Sequence, residues 1–399
     1  MWGDYYIVVF LDDGLVKYHH LFLLFCLPYP DFVLLYIMVK SIKMLDTFAG
    51  IGGFHIGTEQ AASELGIRFT CVGAIEIDKE CRKTYLKNLT VRKFYEDITQ
   101  VDVEELPDHN FLTGGFPCQT FSRNGKFYNK NFKTLGDDDR SNLNLYLLKI
   151  LAIKQPEYFL FENVKGLTEM KNKDGSKFMD TFLENLDGCG YKVYHKVLDS
   201  HRFGLAQRRQ RIFFAGIRKD IRQGFQFPEG KLTDICIDDF LKKKVDSRFF
   251  LGNLWKNRKN LKPDKKGKML TRLQSLKEAY KSGKWPKPDR PTRKISPVAI
   301  IYGDTPSGLP RQQDKLYSRF GISPTIPTFS TPCIDTNPWR QLAPYECLAL
   351  QGYPKGYKLP KSDGEAYKQV GNSVSVPVIR AIVRNFFSGE KFVEQTSFI

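Results

Sequence analysis

Apolar and polar positions alternate along the chain in blocks that are typical of strands and helices, beginning near residue 42. Several apolar runs are short enough to be buried strands, and residues 54–65 between two of them have the spacing of a helix. The predicted strands are residues 42–48, 69–75, 93–95, 109–113, 158–161 and 212–216, and residues 378–387 form a late amphipathic stretch. Strands that alternate with helices predict a doubly wound α/β fold, in which helices cover both faces of a mainly parallel sheet.

Glycines fill the predicted turn between the first strand and the first helix, at Gly50, Gly52 and Gly53. Such a turn lets the backbone approach a ligand closely, and the helix that follows presents free N–H groups. Glu76 ends the next strand about 20 residues further on, where an acid can hold ribose hydroxyls. These residues predict a nucleotide-like cofactor, with a plain turn and a solvated strand end as the alternatives.

The third predicted strand ends in Glu96, Asp97 and Ile98. An acidic and an aliphatic side chain together suit the edge and the face of an adenine ring. A surface turn has the same spacing and stays open as the alternative.

Cys118 follows Pro117 shortly after the apolar run at residues 109–113. Open parallel sheets bind their ligands beyond the carboxyl ends of the strands, so a thiol at this place would face a pocket. A pocket thiol whose pKa is lowered by its neighbours is a nucleophile. A small buried hydrophobic residue is the alternative for a single cysteine.

Charged residues also lie next to the later strands. Glu162 ends the run at residues 158–161, in the same layer of the predicted sheet as Cys118. Arg209 and Arg211 precede the run at 212–216 and would share one face of a strand. If they are aimed at the pocket, they would bind a polar substrate or a phosphate. A surface carboxylate and a solvated sheet edge are the alternatives.

In this order and at these intervals, the motifs resemble those of the DNA cytosine-C5 methyltransferase family, bacterial and phage type, including its HhaI-like members. The resemblance covers the chain from about Met44 to the C-terminus. The matching pieces are residues 46–53, Glu76, Asp97, Pro117-Cys118-Gln119, Glu162-Asn163-Val164, Gln207-x-Arg209-x-Arg211, residues 350–354 and residues 371–374.

The resemblance implies a Rossmann-like S-adenosylmethionine-dependent methyltransferase domain and a smaller target-recognition domain. We expect the catalytic domain at residues 38–225 together with 369–399, and the recognition domain with a hinge at 226–368. Residues 1–37 are interpreted as a mis-assigned or disordered extension, with Met38 or Met44 as the natural start.

The family chemistry implied by the resemblance has four catalytic residues. Cys118 would add to C6 of a cytosine that has been flipped out of the duplex, and Glu162 would protonate or hydrogen-bond N3. Arg209 and Arg211 would hold the base and stabilise developing charge. The methyl group would pass from S-adenosylmethionine to C5.

The resemblance also implies a set of residues that contact the cofactor, namely Phe48, Ala49, Gly50, Gly52, Gly53, Glu76, Asp97, Ile98, Pro117, Leu143, Asn372 and Ser373. Leu143 has an equally good interpretation as a core residue at a helix start. Residues expected to bind DNA are Gln119, Ser122, Gln207, Gln312, Gln313, Lys315 and Thr325. Glutamine side chains can pair with base edges in the major groove.

Charge agrees with a nucleic-acid partner, and we expect it to be double-stranded DNA. The chain has a formal net charge of +17, and residues 242–294 hold 19 Lys and Arg against 4 Asp and Glu. Lysines supply affinity through phosphate contacts but do not select a base sequence. A solvated charged surface is the alternative for this basic segment.

Cysteine and histidine usage predicts no metal site. The eight cysteines form no Cys-x-x-Cys pair, and the six histidines are scattered, as in a reduced cytoplasmic protein. Residues 21–39 are apolar, but Pro28, Pro30 and Asp31 interrupt them, so we expect no membrane span. We expect a nucleoid-associated monomer in a bacterial or phage-infected cell. It would belong to a restriction-modification system, whose endonuclease acts on the same DNA site without a stable complex.

Three other functions are open from sequence. An RNA cytosine-C5 methyltransferase of the tRNA-acting branch shares the glycine loop and the Pro-Cys pair, but usually has a shorter recognition region. A catalytically inactive DNA-binding relative would not need Cys118, Glu162 and Arg211 together. A dinucleotide-dependent oxidoreductase would leave Pro117-Cys118 and the arginines unexplained.

Overall fold

A computed structural model describes residues 8–11, 14–17, 41–117, 143–172, 174–251, 253, 274, 278, 293–295, 297–300, 315–328 and 331–388. Two short strands near the N-terminus, β1 (Val8–Leu11) and β2 (Gly14–Lys17), pair antiparallel. The large sheet consists of β3 (Ser41–Thr47), β4 (Arg68–Ile75), β5 (Phe94–Tyr95), β6 (Phe111–Gly114), β7 (Tyr158–Val164), β8 (Tyr191–Asp199) and β9 (Gln210–Arg218).

The seven strands lie in the order β5-β4-β3-β6-β7-β9-β8. Strands β3 to β7 are mutually parallel, and β9 pairs antiparallel with both β7 and β8. The carboxyl ends of β3, β4, β6 and β7 therefore meet at one edge of the sheet, which is where an open α/β sheet binds its ligands.

Seven helices are described: α1 (Gly53–Leu65), α2 (Lys79–Leu86), α3 (Asn144–Lys154), α4 (Phe178–Gly188), α5 (Pro344–Leu350), α6 (Asp363–Asn372) and α7 (Val376–Phe387). Side chains alternate between the two faces of each strand, so neighbouring strand residues pack on different helices. Ile42, Met44 and Phe111 pack in one core with α1 and α7. Leu45 and Leu112 pack in another core with α3 and α4. Helices therefore cover both faces, and the doubly wound α/β prediction is confirmed.

The C-terminal part of the chain forms a further core against the start of α1. Strands β10 (Pro297–Ile300), β11 (Lys315–Tyr317), β12 (Cys333–Ile334) and β13 (Arg340–Gln341) make a small mixed sheet. Tyr317 and Ile334 of this sheet share an apolar cluster with Ile51, Ile56 and residues of α5 and α6. The segment after residue 315 thus packs directly on the turn that precedes α1.

Strand β8 is the one strand of the large sheet that the apolar pattern did not predict. Its residues are mostly half-buried or exposed, because β8 lies at the sheet edge. Among the described residues, the structure contains no helix long and apolar enough to cross a membrane. Residues 21–39 lie outside that part of the chain.

Candidate active site

The turn between β3 and α1 has an unusual backbone. We call residues 48–53 the glycine-rich loop. Phe48, Gly50 and Gly52 have φ angles of 50°, 53° and 79°, in the left-handed region that residues other than glycine rarely adopt. A left-handed phenylalanine costs free energy and persists only where surrounding contacts hold it, which is common at ligand sites. The N–H of Ala49 donates to the carbonyl of Ile75 at 3.0 Å and so ties the loop to β4.

Glu76, at the carboxyl end of β4, lies against this loop. Its Oε2 accepts a hydrogen bond from the N–H of Gly50 at 2.8 Å, and its Oε1 accepts one from the N–H of Asp78 at 2.8 Å. Burial raises the pKa of Glu76 above its ordinary value, against the lowering effect of these two N–H groups. The structure therefore brings together the glycines and the acid that sequence spacing had linked.

The predicted adenine residues follow β5, the edge strand next to β4. Asp97 caps the short 3₁₀ helix Ile98–Gln100, with its Oδ1 accepting from the N–H and the hydroxyl of Thr99 at 2.9 and 2.8 Å. Ile98 is buried in the apolar cluster of the sheet, and Phe48 and Leu143 are half-buried against that cluster. The cluster thus joins three of the predicted cofactor contacts around one apolar surface.

Sequence reasoning gave no role of its own to Asp46, one residue before the end of β3. Asp46 is fully buried, its Oδ1 accepts from the Thr113 hydroxyl at 2.8 Å, and its Oδ2 has no hydrogen-bond partner. Burial raises the pKa of Asp46 well above its ordinary value, with the nearby Glu76 acting in the same direction. An acid inside an apolar strand was the signal in the sequence, since aspartate is almost never fully buried unless it has a partner.

Ile77 is a second residue that the sequence reasoning missed. It follows Glu76 directly and is 70% exposed, although it is a large apolar residue. Exposed apolar side chains are ordinary when isolated, but this one lies at the strand end next to the loop. It is therefore an exposed apolar side chain directly after Glu76, the acid that bonds the glycine-rich loop.

A buried ion pair lies where β7 and β9 run side by side. The Nε of Arg211 is 3.1 Å from Oε1 of Glu162, although its N–H does not point well enough at that oxygen to form a hydrogen bond. Glu162 is 8% exposed, and burial raises its pKa, while Arg211 and Arg209 oppose that rise. The raised pKa favours the protonated acid, which is the form that can donate to a substrate.

Asn163, the next residue, fixes the chain that leads to Cys118. Its Nδ2 donates to the carbonyl of Phe116 at 2.9 Å, and Asn163 is 2% exposed. A Cβ built on Gly115 would lie 3.7 Å from Oε2 of Glu162, so the backbone after β6 passes close to that carboxyl group. Pro117 is exposed, and Cys118 itself lies outside the described residues.

Arg209 has a position different from that of Arg211. It is 4% exposed, and its Nη2 donates to the carbonyls of Gly371 and Ser373 at 3.1 and 2.7 Å. Its Nε and Nη1 are buried without partners. Burial lowers its pKa to about 9, so the guanidinium still carries its charge at neutral pH. Arg209 therefore ties the C-terminal end of α6, residues 371–373, to the start of β9. Within that segment Asn372 is exposed and Ser373 is buried.

The structure does not support the predicted DNA contact of Gln207. This side chain is 0% exposed, its Nε2 donates to the carbonyl of Leu350 at 3.0 Å, and its Oε1 accepts from the N–H of Ile326 at 3.0 Å. Its amide is engaged with backbone from two distant parts of the chain and leaves no surface for DNA. Gln207 therefore joins the segments around Ile326 and Leu350 in the interior of the fold.

Of the other predicted DNA-binding residues, two are described. Lys315 lies on β11, and Thr325 is partly exposed, with its hydroxyl donating to the carbonyl of Arg208 at 2.8 Å. Gln119, Ser122, Gln312 and Gln313 lie outside the described residues. Among the described residues, no group of three or more His, Cys, Asp and Glu side chains could hold a metal ion.

Comparison with known proteins agrees with this geometry. Residues 42–388 match the family model described as C-5 cytosine-specific DNA methylase. The Type II methyltransferase M.NlaX of Neisseria lactamica is 35% identical over 342 residues, which cover 85% of this chain and 94% of that protein. M.HhaI of Haemophilus parahaemolyticus is 30% identical over 362 residues, 89% of this chain and 97% of that protein.

Solved structures support the fold alone. The crystal structure of a Spodoptera frugiperda DNMT2 variant superposes with a TM-score of 0.58 at 21% identity, covering 87% of this chain and 100% of that one. The family match extends over most of the chain and includes the loop, the acids and the arginines described above. The chain therefore belongs to the C-5 cytosine-specific DNA methylase family and is a DNA cytosine-5-methyltransferase.

Proposed function

We propose that this enzyme methylates cytosine within one short sequence of double-stranded DNA, using S-adenosylmethionine as donor and Cys118 as covalent nucleophile. The observation that carries the proposal is the buried pair of Glu162 and Arg211, whose atoms are 3.1 Å apart beside the chain that leads from β6 to Cys118. An acid and an arginine, together with the Cys118 thiol that follows Pro117 in the sequence, are the groups that activation of cytosine requires.

The residues around the glycine-rich loop fit the proposed cofactor. A Cβ built on Gly50 would meet nothing within 4 Å, so the loop has open space on that side. Glu76 offers a carboxyl group for ribose hydroxyls, and the half-buried Phe48 and the exposed Ile77 offer apolar surface for adenine. When bound, S-adenosylmethionine supplies an electrophilic methyl group on a sulfonium.

The protein side chains would make C5 of the base nucleophilic. The sulfur of Cys118 forms a bond to C6, and the electron pair of the C5–C6 double bond moves to C5 while Glu162 gives its proton, or a hydrogen bond, to N3. Because burial raises the pKa of Glu162, the acid form is available for that donation. After C5 carries the methyl group, its proton passes to water and Cys118 leaves as thiolate, which restores the double bond. A proton that N3 received from Glu162 returns to that carboxylate.

The DNA side of the proposal rests on charge and chemistry. The 19 Lys and Arg of the basic segment, residues 242–294, would neutralise phosphates, and the target base must leave the stack because C6 is inaccessible in a duplex. Relatives named Type II methyltransferases support a modification enzyme of a restriction-modification system. We also propose that it acts as a monomer, with residues 226–368 as the recognition domain and hinge.

Bisulfite sequencing of DNA from a host without cytosine-C5 methylation tests this proposal. Expression of the chain should leave unconverted cytosines within one short motif, and Cys118→Ala should abolish them. Cys189→Ala is the matched control, because that half-buried thiol lies at the end of α4 and should leave methylation unchanged. Full conversion of host DNA together with methylated cytosine in RNA would overturn the DNA substrate.

A further inference from the structure

The glycine-rich loop is held by a side chain that lies more than 300 residues later in the chain. The hydroxyl of Tyr357 donates a hydrogen bond to the carbonyl of Ile51 at 2.5 Å. That carbonyl lies between Gly50 and Gly52, which both have left-handed backbone, and Ile51 is 1% exposed. A buried carbonyl needs a donor, and here the donor comes from a side chain instead of from regular secondary structure.

A second tyrosine of the same segment touches the end of the loop. A Cβ built on Gly53 would lie 2.8 Å from the hydroxyl oxygen of Tyr353, so only glycine, which has no side chain, fits at this position. The rings of Tyr353 and Tyr357 pack edge to face, with their centroids 5.0 Å apart. We call residues 350–358 the anchoring segment, because both of its tyrosines contact the loop.

The anchoring segment and α6 are bonded to the residues on either side of α2, the helix that follows Glu76. Asn88 donates from Nδ2 to the carbonyl of Lys358 at 3.0 Å and accepts from the N–H of Lys358 at 2.7 Å. Further along, Nζ of Lys368 on α6 lies 2.6 Å from Oδ2 of Asp78. The backbone N–H of Asp78 in turn donates a hydrogen bond to Glu76. The segment that carries both tyrosines is therefore bonded to the region around α2 as well as to the loop.

We propose that Tyr357 is a positioning residue that holds the glycine-rich loop in the shape that binds the cofactor. The inference deepens the proposed function and rests on it, because the ligand of the loop is taken to be S-adenosylmethionine. The loop contains Phe48, a left-handed residue other than glycine, and such backbone returns to lower-energy conformations unless contacts hold it. Gly50 and Gly52 adopt left-handed backbone without strain, so they leave the loop free to take other shapes unless contacts fix it. Without the phenol hydroxyl, the Ile51 carbonyl has no donor and the loop samples conformations that do not bind.

The test compares two tyrosine-to-phenylalanine variants of equal chemistry. Tyr357→Phe removes the bond to the loop. Tyr367→Phe is the matched control, because its hydroxyl donates to the carbonyl of Leu342 at 2.7 Å within the same apolar cluster but does not touch the loop. Calorimetry with S-adenosylmethionine should show a Kd raised about fivefold to tenfold for Tyr357→Phe, the size expected for one lost buried hydrogen bond. Tyr367→Phe should bind like the wild type.

Kinetics separate positioning from general loosening. Tyr357→Phe should raise KM for the cofactor by the same factor and leave kcat at saturating cofactor unchanged, because the hydroxyl touches neither substrate nor reacting atoms. Equal Kd values for wild type and Tyr357→Phe, or equal weakening in both variants, would overturn the inference alone. A wild-type protein that binds no S-adenosylmethionine would overturn the proposed function with it.

Asn88→Ala gives a second measurement if Tyr357→Phe fails to fold. It removes both bonds to Lys358 and leaves the phenol in place, so the loop should loosen less. We expect a Kd raised about twofold, between those of the wild type and Tyr357→Phe. An Asn88→Ala protein with unchanged Kd would contradict the role of the anchoring segment.

Discussion

Replacement of Glu162 by Gln tests the acid of the proposed mechanism with little change of shape. The variant keeps the volume and a hydrogen-bond donor, but it has no proton to transfer to N3. Proton transfer by a positioned side chain contributes about 10²- to 10⁴-fold in rate, which corresponds to about 3–5 kcal/mol of barrier. We therefore expect kcat to fall by at least 100-fold at neutral pH.

Loss of stability should not explain that fall. The side chains of Arg211 and Glu162 are 16% and 11% exposed. Water can therefore partly replace the carboxylate that Arg211 loses in the Gln variant. The amide of Gln can still face Arg211, so the loss of stability should stay below about 3–5 kcal/mol, the cost when a buried pair loses one partner completely. Thermal unfolding of the variant, measured beside the activity, should show a shift of only a few degrees.

The pH dependence of kcat gives a second test of Glu162 as the proton donor. Burial raises the pKa of Glu162 above its ordinary value of 4.5, and the acid form is the active one. Wild-type kcat should therefore be highest below that raised pKa and fall as the pH rises through it, whereas the Gln variant should lack this alkaline limb. Single-turnover methyl transfer measured from pH 5 to 9 resolves the limb.

A control variant exists on the same strand. Glu157 precedes β7 at its other end, away from the ion pair, and Glu157→Gln should keep full activity and the alkaline limb. If Glu162→Gln retained more than about a tenth of wild-type kcat, the assignment of Glu162 as proton donor would be refuted.

Three further changes test the packing around the site. Gly53→Ala places a Cβ 2.6 Å from a methyl group of Val374 and 2.8 Å from the hydroxyl of Tyr353, so the free energy of unfolding should decrease by about 1–3 kcal/mol. Gly188→Ala is the control, because its Cβ meets nothing within 4 Å and should not lower the free energy of unfolding. Burial lowers the pKa of His55 from 6.5 to about 4, so the unfolded chain takes up a proton before the folded chain does as the pH decreases. The free energy of unfolding therefore decreases as the pH is lowered. Urea melts should show about 2 kcal/mol lost from pH 7.5 to 5 on this account, and His55→Gln should lose less; an equal loss would contradict the assignment. Arg340→Met leaves the fully buried Glu346 without its ionic partner and should cost about 3–5 kcal/mol in the same melts, and a cost below 1 kcal/mol would contradict that reasoning.

The fold was accessible from sequence because apolar runs and helical spacing repeat along the catalytic region. Strands such as β7 are buried on both faces and therefore read as continuous apolar runs. Strand β8 was missed for the opposite reason: it lies at the edge of the sheet, and its residues Tyr191–Asp199 are mostly half-buried or exposed. Edge strands carry a weaker apolar pattern than central ones.

The site was accessible only as far as local spacing determines it. The link between the glycines and Glu76 follows from the regular length of a strand-helix-strand unit. The burial of Gln207 depends on Ile326 and Leu350, which are 119 and 143 residues away, and no local pattern reports such contacts. The hydrogen bond from Tyr357 to the loop has the same origin, with a separation of 306 residues.

Covalent trapping on fluorinated DNA tests the central claim most directly. A duplex that contains the motif found by bisulfite sequencing, with 5-fluorocytosine in place of the target cytosine, should react with purified enzyme and S-adenosylmethionine. Because fluorine at C5 cannot leave as a proton does, the bond between Cys118 and C6 should persist through denaturation. We predict a complex of one protein and one duplex, with the DNA attached to the peptide that contains Cys118, and none with Cys118→Ala. Methylation of ordinary DNA without any trapped complex, or attachment at another residue, would contradict the account.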